Sequence, residues 1–255
     1  MLFDSHTHLD AEQFDHDREL VIKRARLNGI SYMLNPGADL SSSVKAVELA
    51  EAHDFIFAAV GVHPHDADQM DTEMLSMIEH LAKKSVVKAI GEIGLDYYRN
   101  LSPKDVQIYW FREQLRLAKR LNLPVIIHDR DANDDVLRIL KEEKSFETGV
   151  LMHCYSGSRE LAEQYVKLGA MISLAGPVTY KNARKSVEVA EVVPISHLMI
   201  ETDAPYLTPE PNRGKRNEPM YVRSTCERLA TIKGISFEEM AAVTMANAKR
   251  FFKII

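Results

Sequence analysis

The chain has 255 residues, of which 45% are hydrophobic and 27% charged, and its formal net charge at pH 7 is −5. This composition is that of a globular protein and excludes a disordered or fibrous chain. The sequence has no basic block, which argues against a protein that holds duplex DNA through many phosphate contacts. No apolar run reaches the roughly 18 residues of a membrane span, and polar residues interrupt the N-terminus, so we expect neither a membrane helix nor a signal peptide.

Short apolar runs alternate with helical patterns along the whole chain. The runs cover 1–3, 30–34, 55–60, 86–90, 124–128, 149–153, 170–175 and 197–201. Strands that alternate with helices form parallel sheets, and eight such units in about 250 residues predict a single α/β domain over 1–255, a (β/α)8 TIM barrel. A doubly wound open sheet is the rival fold. It usually has a glycine-rich first loop, and none of the first three loops contains GxGxxG.

Polar side chains are concentrated where the predicted strands end. Active-site residues of a TIM barrel lie at these C-terminal strand ends. Of the ten histidines, six fall there, together with several acids. The residues at these ends are His6, His8, His63, His65, Glu92, Asp96, His128, Arg130, His153, Glu201 and Asp203. Each of them alone is compatible with a structural role, but the whole set on one rim favours a functional site.

Imidazoles combined with carboxylates are typical ligands of divalent ions such as Zn²⁺, Mn²⁺, Co²⁺ or Mg²⁺. No thiolate accompanies them, which argues against a closed structural zinc site. Four of these imidazoles and two of these acids would make six ligands, which are too many for one catalytic zinc ion. They suit two ions that share a bridging carboxylate and a bridging hydroxide. The residues therefore predict a metal-assisted hydrolase.

Five motifs stand in the order found in the TatD family of metal-dependent hydrolases, which the chain resembles over essentially its whole length. They are FDSHTHLD (3–10), GVHPH (61–65), GEIGLDY (91–97), PVIIHDRDANDD (124–135) and LMIETDAPYLTP (198–209). The resemblance implies an amidohydrolase-like barrel and, for characterised relatives, deoxyribonuclease activity.

By position, the resemblance implies six metal ligands for two divalent cations, which could be Zn, Mn, Mg, Co or Ni. We expect His6, His8 and Asp203 on one ion and His128 and His153 on the other. Glu92 would bridge the two ions, and Asp203 is also the expected general base. The predicted catalytic residues are therefore Asp203 and Glu92.

Substrate contacts are predicted for His63, His65 and Arg130, which lie on the same rim. His63 and His65 could contact a phosphate or donate to a leaving group, or they could only form hydrogen bonds to a nearby loop. Arg130 could hold a phosphate through its fork of donors, or neutralise the acids on either side of it. The loop 209–219 carries Arg213, Lys215 and Arg216, which could guide an anionic strand or remain solvated. Tyr97, Tyr98 and Tyr155 could stack on bases or pack against the rim.

The leading hypothesis is a phosphodiesterase that acts on DNA, at single-stranded regions or ends. A metal-dependent hydrolase of small amides, esters or lactones is the alternative, because the same activated water attacks carbonyl groups. A third reading is a non-catalytic metal-binding protein. We expect no membrane association and no obligate protein partner. Cys154 and Cys226 lie far apart without metal-type spacing, which favours the cytoplasm.

Overall fold

Strands and helices alternate throughout the computed structural model, which describes all residues, 1–255. The strands are β1 (Leu2–Asp4), β2 (Ile30–Pro36), β3 (Ile56–Val60), β4 (Val87–Asp96), β5 (Val125–Arg130), β6 (Val150–Met152), β7 (Met171–Leu174) and β8 (Leu198–Ile200). The helices are α1 (Arg18–Leu27), α2 (Leu40–Ala52), α3 (Thr72–Ala82), α4 (Lys104–Leu121), α5 (Asn133–Glu142), α6 (Arg159–Lys167), α7 (Arg184–Val192), α8 (Val222–Lys233) and α9 (Phe237–Phe251).

The strands belong to one eight-stranded sheet whose spatial order equals the chain order. The pairings β1–β2, β3–β4, β4–β5, β5–β6 and β7–β8 are parallel. Every residue of β1, β6, β7 and β8 is buried, as expected for parallel strands with helices between them. None of the helices has both the length and the apolar character needed to cross a membrane.

The chain divides into two compact units. Unit 1 comprises residues 1–35, 154–167 and 171–255, and unit 2 comprises 36–153 and 168–170. Unit 1 therefore contains the first two strands and the last two, while β3 to β6 lie in unit 2. The expectation of a single domain over 1–255 stays a prediction.

In unit 1, the first strand lies beside both β2 and β8. Leu2 and Ile30 are register partners of β1 and β2, and the backbone N–H of Ser5 donates to the carbonyl of Ile200 at 3.0 Å. Phe3 packs on Phe252, just beyond α9, with ring centroids 5.9 Å apart. Burying such aromatic side chains contributes about 2–3 kcal/mol each. The start of the chain is thus an integral part of the sheet and not a frayed tail.

In unit 2, β4 and β5 continue well beyond the apolar runs that predicted them. The register pairs Gly94 with His128 and Asp96 with Arg130, so Glu92 and Asp96 lie inside β4 and not in a loop after it. The polar and glycine residues obscure the strand pattern in the sequence. In the fold, the N–H of Glu92 donates to the carbonyl of Gly37 and that of Asp96 donates to the Gln107 side chain, so the amide groups of both acids are satisfied. This extension places several polar side chains on a rigid element.

Candidate metal-binding and active site

Unit 1 contains a group of three ligand residues, which we call the His6 group: His6, His8 and Asp203. The Nε2 atoms of the two histidines lie 3.2 Å apart. Asp203 Oδ1 lies 3.8 Å from Nε2 of His6 and 3.5 Å from Nε2 of His8. Together these atoms form a cluster able to hold a metal ion. The arrangement is that of a cation site, because ligand atoms about 2.0–2.2 Å from one ion lie about 3–3.5 Å from each other.

The backbone of unit 1 explains why these residues converge. Beyond β1 and β8, the N–H of Asp203 donates to the carbonyl of His6 at 2.9 Å, and the N–H of His8 donates to that of Ala204 at 2.8 Å. Side chains two residues apart on an extended segment point to the same side, so both imidazoles face Asp203. The HxH spacing of the sequence therefore becomes a pair of adjacent imidazoles in the fold.

Asp4, the last residue of β1 and two residues before His6, holds the segment that leads to Asp203. Its fully buried carboxylate accepts hydrogen bonds from the backbone N–H of Thr202 at 2.9 Å and from the Thr202 hydroxyl at 2.6 Å. Burial raises the pKa of Asp4 well above its usual value, against the opposing effect of the Thr202 bonds. Sequence reasoning gave Asp4 no role, because its partner lies 198 residues away.

Unit 2 contains a second group, the Glu92 group, in which three histidines surround one carboxylate oxygen. Glu92 Oε1 lies 2.9 Å from His128 Nδ1, 2.9 Å from His153 Nε2 and 3.4 Å from His63 Nε2. The residues His63, Glu92 and His128 form a cluster able to hold a metal ion. Two of the histidines were predicted as ligands. His63, predicted as a substrate contact, lies in the same group.

Asp96 is a further carboxylate of unit 2 that the sequence analysis noted without a role. Its Oδ2 lies 2.8 Å from Nε2 of His65 and 3.2 Å from Nε2 of His128. The sequence spacing could have predicted this position for Asp96. Residues four apart on a strand share one face, and Asp96 follows Glu92 by four residues. His65, predicted to touch substrate, is thus oriented by a buried acid.

The electrostatics of unit 2 couple these acids to the histidines. Burial alone would raise the pKa of Glu92, but His153, His63 and His128 outweigh it and hold that pKa well below the usual range. Burial opposes a charge on His128, yet its bonds to Asp96 and Glu92 raise its pKa. Burial and the neighbouring His128 lower the pKa of His63 to about 4. His128 would have to lose its proton to hold a divalent cation, so binding of a cation by this group would release protons.

Gly94 lies between the two acids of β4 at a point where the strands approach closely. Its φ is +148°, and a Cβ atom there would lie 1.9 Å from the carbonyl oxygen of His128. We expect Gly94→Ala to lower the free energy of unfolding by about 3 kcal/mol or more, because the strand must shift and adopt a strained conformation. Urea denaturation measures the change.

Gly169→Ala is the matched control for Gly94→Ala. Gly169 also has a positive φ, +88°, but a Cβ there meets nothing within 4 Å. We expect a loss of only about 1 kcal/mol from backbone strain alone. Equal losses for the two variants would show that the close approach to His128 does not constrain β4.

The chain matches the sequence model described as TatD related DNase over residues 3–253. It is 50% identical over the full length of both chains to the metal-dependent hydrolase YabD of Bacillus subtilis. It is 38% identical to the 3′-5′ ssDNA/RNA exonuclease TatD of Pantoea vagans, covering 99% of this chain and 100% of that one. The crystal structure of the TatD homologue YJJV of Escherichia coli superposes with a TM-score of 0.94 at 30% identity, covering 100% and 98% of the two chains.

The chain belongs to the TatD family. The family resemblance and the (β/α)8 TIM-barrel fold predicted from the sequence are both confirmed. The predicted enzyme class, a metal-dependent hydrolase, and its dependence on metal ions are confirmed as well. The individual roles of the site residues stay predictions.

Arg130 of this TatD protein does not neutralise the acids beside it. Its guanidinium lies over the ring of Tyr98, 4.3 Å from the centroid, and no ion pair with Asp129 or Asp131 forms. Burial raises the pKa of Asp129 to about 6. Arg130 therefore does not form the predicted ion pairs with the acids on either side of it. Its positive charge is available to an anionic ligand.

The predicted basic loop of the TatD chain is largely engaged with the protein itself. Arg216 donates to both carboxylate oxygens of Asp17 at 2.8 Å, and Arg24 donates to both oxygens of Glu218 at 2.8 Å. Arg213 lies over the ring of Tyr180. The two carboxylates therefore fasten the end of this loop to α1. Arg216 does not present a free charge to an anionic strand.

This fastening makes the loop sensitive to acid. The bonds from Arg216, then those from Arg24, hold the pKa of Asp17 well below its usual value. A lowered folded-state pKa stabilises the protein above the unfolded pKa of about 3.9, and this contribution is lost as the pH falls below about 4. We expect Asp17→Asn to cost about 1 kcal/mol at pH 7, since the network is partly solvated, and about half as much at pH 2.5, which lies between the unfolded and the folded pKa of Asp17.

The measurement for Asp17→Asn is urea denaturation at the two pH values. Asp54→Asn, at an exposed position, serves as the control and should change stability little at either pH. A penalty for Asp17→Asn that stays the same at both pH values would contradict the proposed contribution of this ion pair.

Proposed function

We propose that this TatD protein is a phosphodiesterase that acts on single-stranded DNA or on DNA ends with two divalent cations. The His6 group would hold one ion, and His128 and His153 the other. Glu92 would be the ligand that both ions share, as the sequence analysis expects. The relative from Pantoea vagans that is named an ssDNA/RNA exonuclease supports a nucleic-acid substrate.

The observation that carries this proposal is the 3.2 Å separation of the His6 and His8 Nε2 atoms beside Asp203. Two lone-pair-bearing imidazole nitrogens at this distance repel each other unless a proton or a cation lies between them. The donor set of nitrogens and carboxylate oxygens fits Zn²⁺, Mn²⁺, Co²⁺, Ni²⁺ or Mg²⁺. Neither cysteine competes for a metal, since Cys226 is buried and Cys154 belongs to no candidate ligand cluster.

When bound, such ions lower the pKa of a water molecule and offset the charge of a phosphate group. The residues of the chain do the rest. Asp203, partly exposed beside the two imidazoles, accepts the proton of the attacking water. Arg130 binds a phosphate oxygen through its guanidinium while Tyr98 holds that group in place. His65, oriented by Asp96, is placed to donate to the leaving oxygen.

We propose a cytoplasmic location, because neither cysteine forms a disulfide bond. The net charge of −5 means that Arg130 and the bound ions must supply most of the attraction for an anionic strand. Binding and cleavage of DNA should therefore depend on the bound metal and on Arg130.

The proposal is tested with single-stranded DNA labelled at its 3′ or its 5′ end. The wild-type protein and Glu92→Ala are assayed after chelation and after readdition of Mg²⁺, Mn²⁺ or Zn²⁺. We expect cleavage that the metal restores in the wild type only, and the label pattern gives the direction of cleavage. No cleavage with any metal would contradict a nuclease and favour small amides, esters or lactones as substrates.

Arg130→Met is the second arm of this experiment. Removal of one phosphate contact should weaken substrate binding and reduce the salt dependence of cleavage. Arg184→Met is the matched control, because Arg184 is an exposed arginine paired only with Glu188 on its own helix. Equal behaviour of the two variants would remove Arg130 from the substrate site.

A further inference from the structure

Tyr206 is an exposed aromatic side chain beside a predicted metal ligand of unit 1. Its exposed fraction is 52%, although it lies only three residues after Asp203. Its ring centroid lies 6.3 Å from that of His8, in an edge-on arrangement. The His8 imidazole therefore lies close to Asp203 and also to a tyrosine ring that is about half exposed to solvent.

The backbone around Tyr206 is held firmly while its ring is not covered. The N–H of Tyr206 donates to the carbonyl of Asp203 at 2.9 Å, and the buried Asn217 side chain donates to the carbonyl of Tyr206 at 2.5 Å. The same Asn217 amide donates to the carbonyl of Thr202 at 2.8 Å. The carbonyl of Leu207 packs where a Cβ of Gly176 would lie. A rigid backbone presents the ring in one place.

Two other exposed tyrosines, Tyr98 and Tyr109, have different neighbours. Tyr98 lies under the guanidinium of Arg130, and Tyr109 contacts Trp110 with ring centroids 4.8 Å apart. Two of the tyrosines predicted to stack are also engaged: Tyr155 is buried, and the ring of Tyr97 lies under Lys104. Tyr206 thus differs from them in lying, about half exposed, beside His8, a predicted metal ligand.

We propose that Tyr206 is a stacking surface for the nucleobase next to the phosphate that is cleaved. This inference rests on the proposed nuclease function and deepens it. A phosphate held at the His6 group brings the adjoining base towards the ring, and any base can stack because every base has a π face. A base must be unstacked from its neighbours to occupy this surface, so Tyr206 selects frayed or single-stranded ends over paired DNA.

The test compares two oligonucleotides that differ at the terminal nucleotide that the wild type removes first. One carries thymine there, and the other carries an abasic residue. We expect Tyr206→Ala to raise KM for the thymine substrate about tenfold, the range typical of one base–aromatic stack, with little change for the abasic one. Tyr206→Trp should preserve binding of the thymine substrate, because it keeps a large aromatic face.

Tyr109→Ala is the matched control, since Tyr109 has a similar exposed fraction, 54%, away from the ligand groups. It should change neither KM. Metal content should be the same in Tyr206→Ala and the wild type. An equal effect of Tyr206→Ala on both substrates, or no effect on either, would overturn the stacking role. A wild type that cleaves neither substrate would overturn the proposed function itself, and the stacking role with it.

Discussion

Glu92→Ala is expected to lose bound metal and hydrolytic activity together, with activity falling more than 100-fold. A single oxygen of Glu92 contacts His128, His153 and His63, so its removal leaves three imidazoles without their common partner. Loss of residues that only orient metal ligands already costs about 10–100-fold, and loss of a ligand should cost more. The measurement is metal content per chain together with the rate of DNA cleavage.

His6→Ala is the corresponding change in unit 1, and it should likewise reduce metal content and activity. Both variants should change folding only modestly, because the strands keep their backbone pairing. Glu160→Ala, which removes an exposed acid on α6, is the control and should keep both metal and activity. A Glu92→Ala protein that binds no metal and retains full activity would rule out metal-assisted hydrolysis.

Asp203→Asn is expected to lower kcat by about 10²- to 10⁴-fold while KM changes little. The substitution keeps the shape of the side chain but removes the negative charge that accepts a proton and that faces His6 and His8. The loss should therefore appear in turnover and not in substrate binding. Steady-state kinetics with saturating metal measure both constants.

Glu210→Gln, on the same loop, is the control for Asp203→Asn and should leave kcat unchanged. Saturating metal matters because a weakened ligand also lowers metal affinity, and excess metal separates the two effects. A change confined to KM would show that Asp203 contributes to binding and not to the chemical step.

The fold and the proximity of His6 to His8 were predictable from the sequence because their signals are local. Apolar runs at regular spacing marked the eight strands, and the HxH spacing placed His6 and His8 on one side of an extended segment. The resemblance to the TatD family then implied six ligands, and their roles stay predictions. These signals need only a few neighbouring residues to be read.

The partnerships across the sequence could not be read in the same way. The Asp4 bond to Thr202 and the Arg24 bond to Glu218 join residues almost 200 positions apart, and no local pattern specifies them. From the sequence, Arg216 could have been available to substrate. Its partner Asp17 lies just before α1, 199 residues away along the chain. The extension of β4 through Asp96 also depends on its pairing with β5.

Titration of the metal-free protein with Mn²⁺, followed by both calorimetry and single-stranded DNA cleavage, tests the central claim most directly. The account predicts two ions per chain in the wild type, release of protons on binding, and cleavage that appears only when both ions are bound. Full cleavage with one ion, or two bound ions without cleavage of DNA, would contradict it.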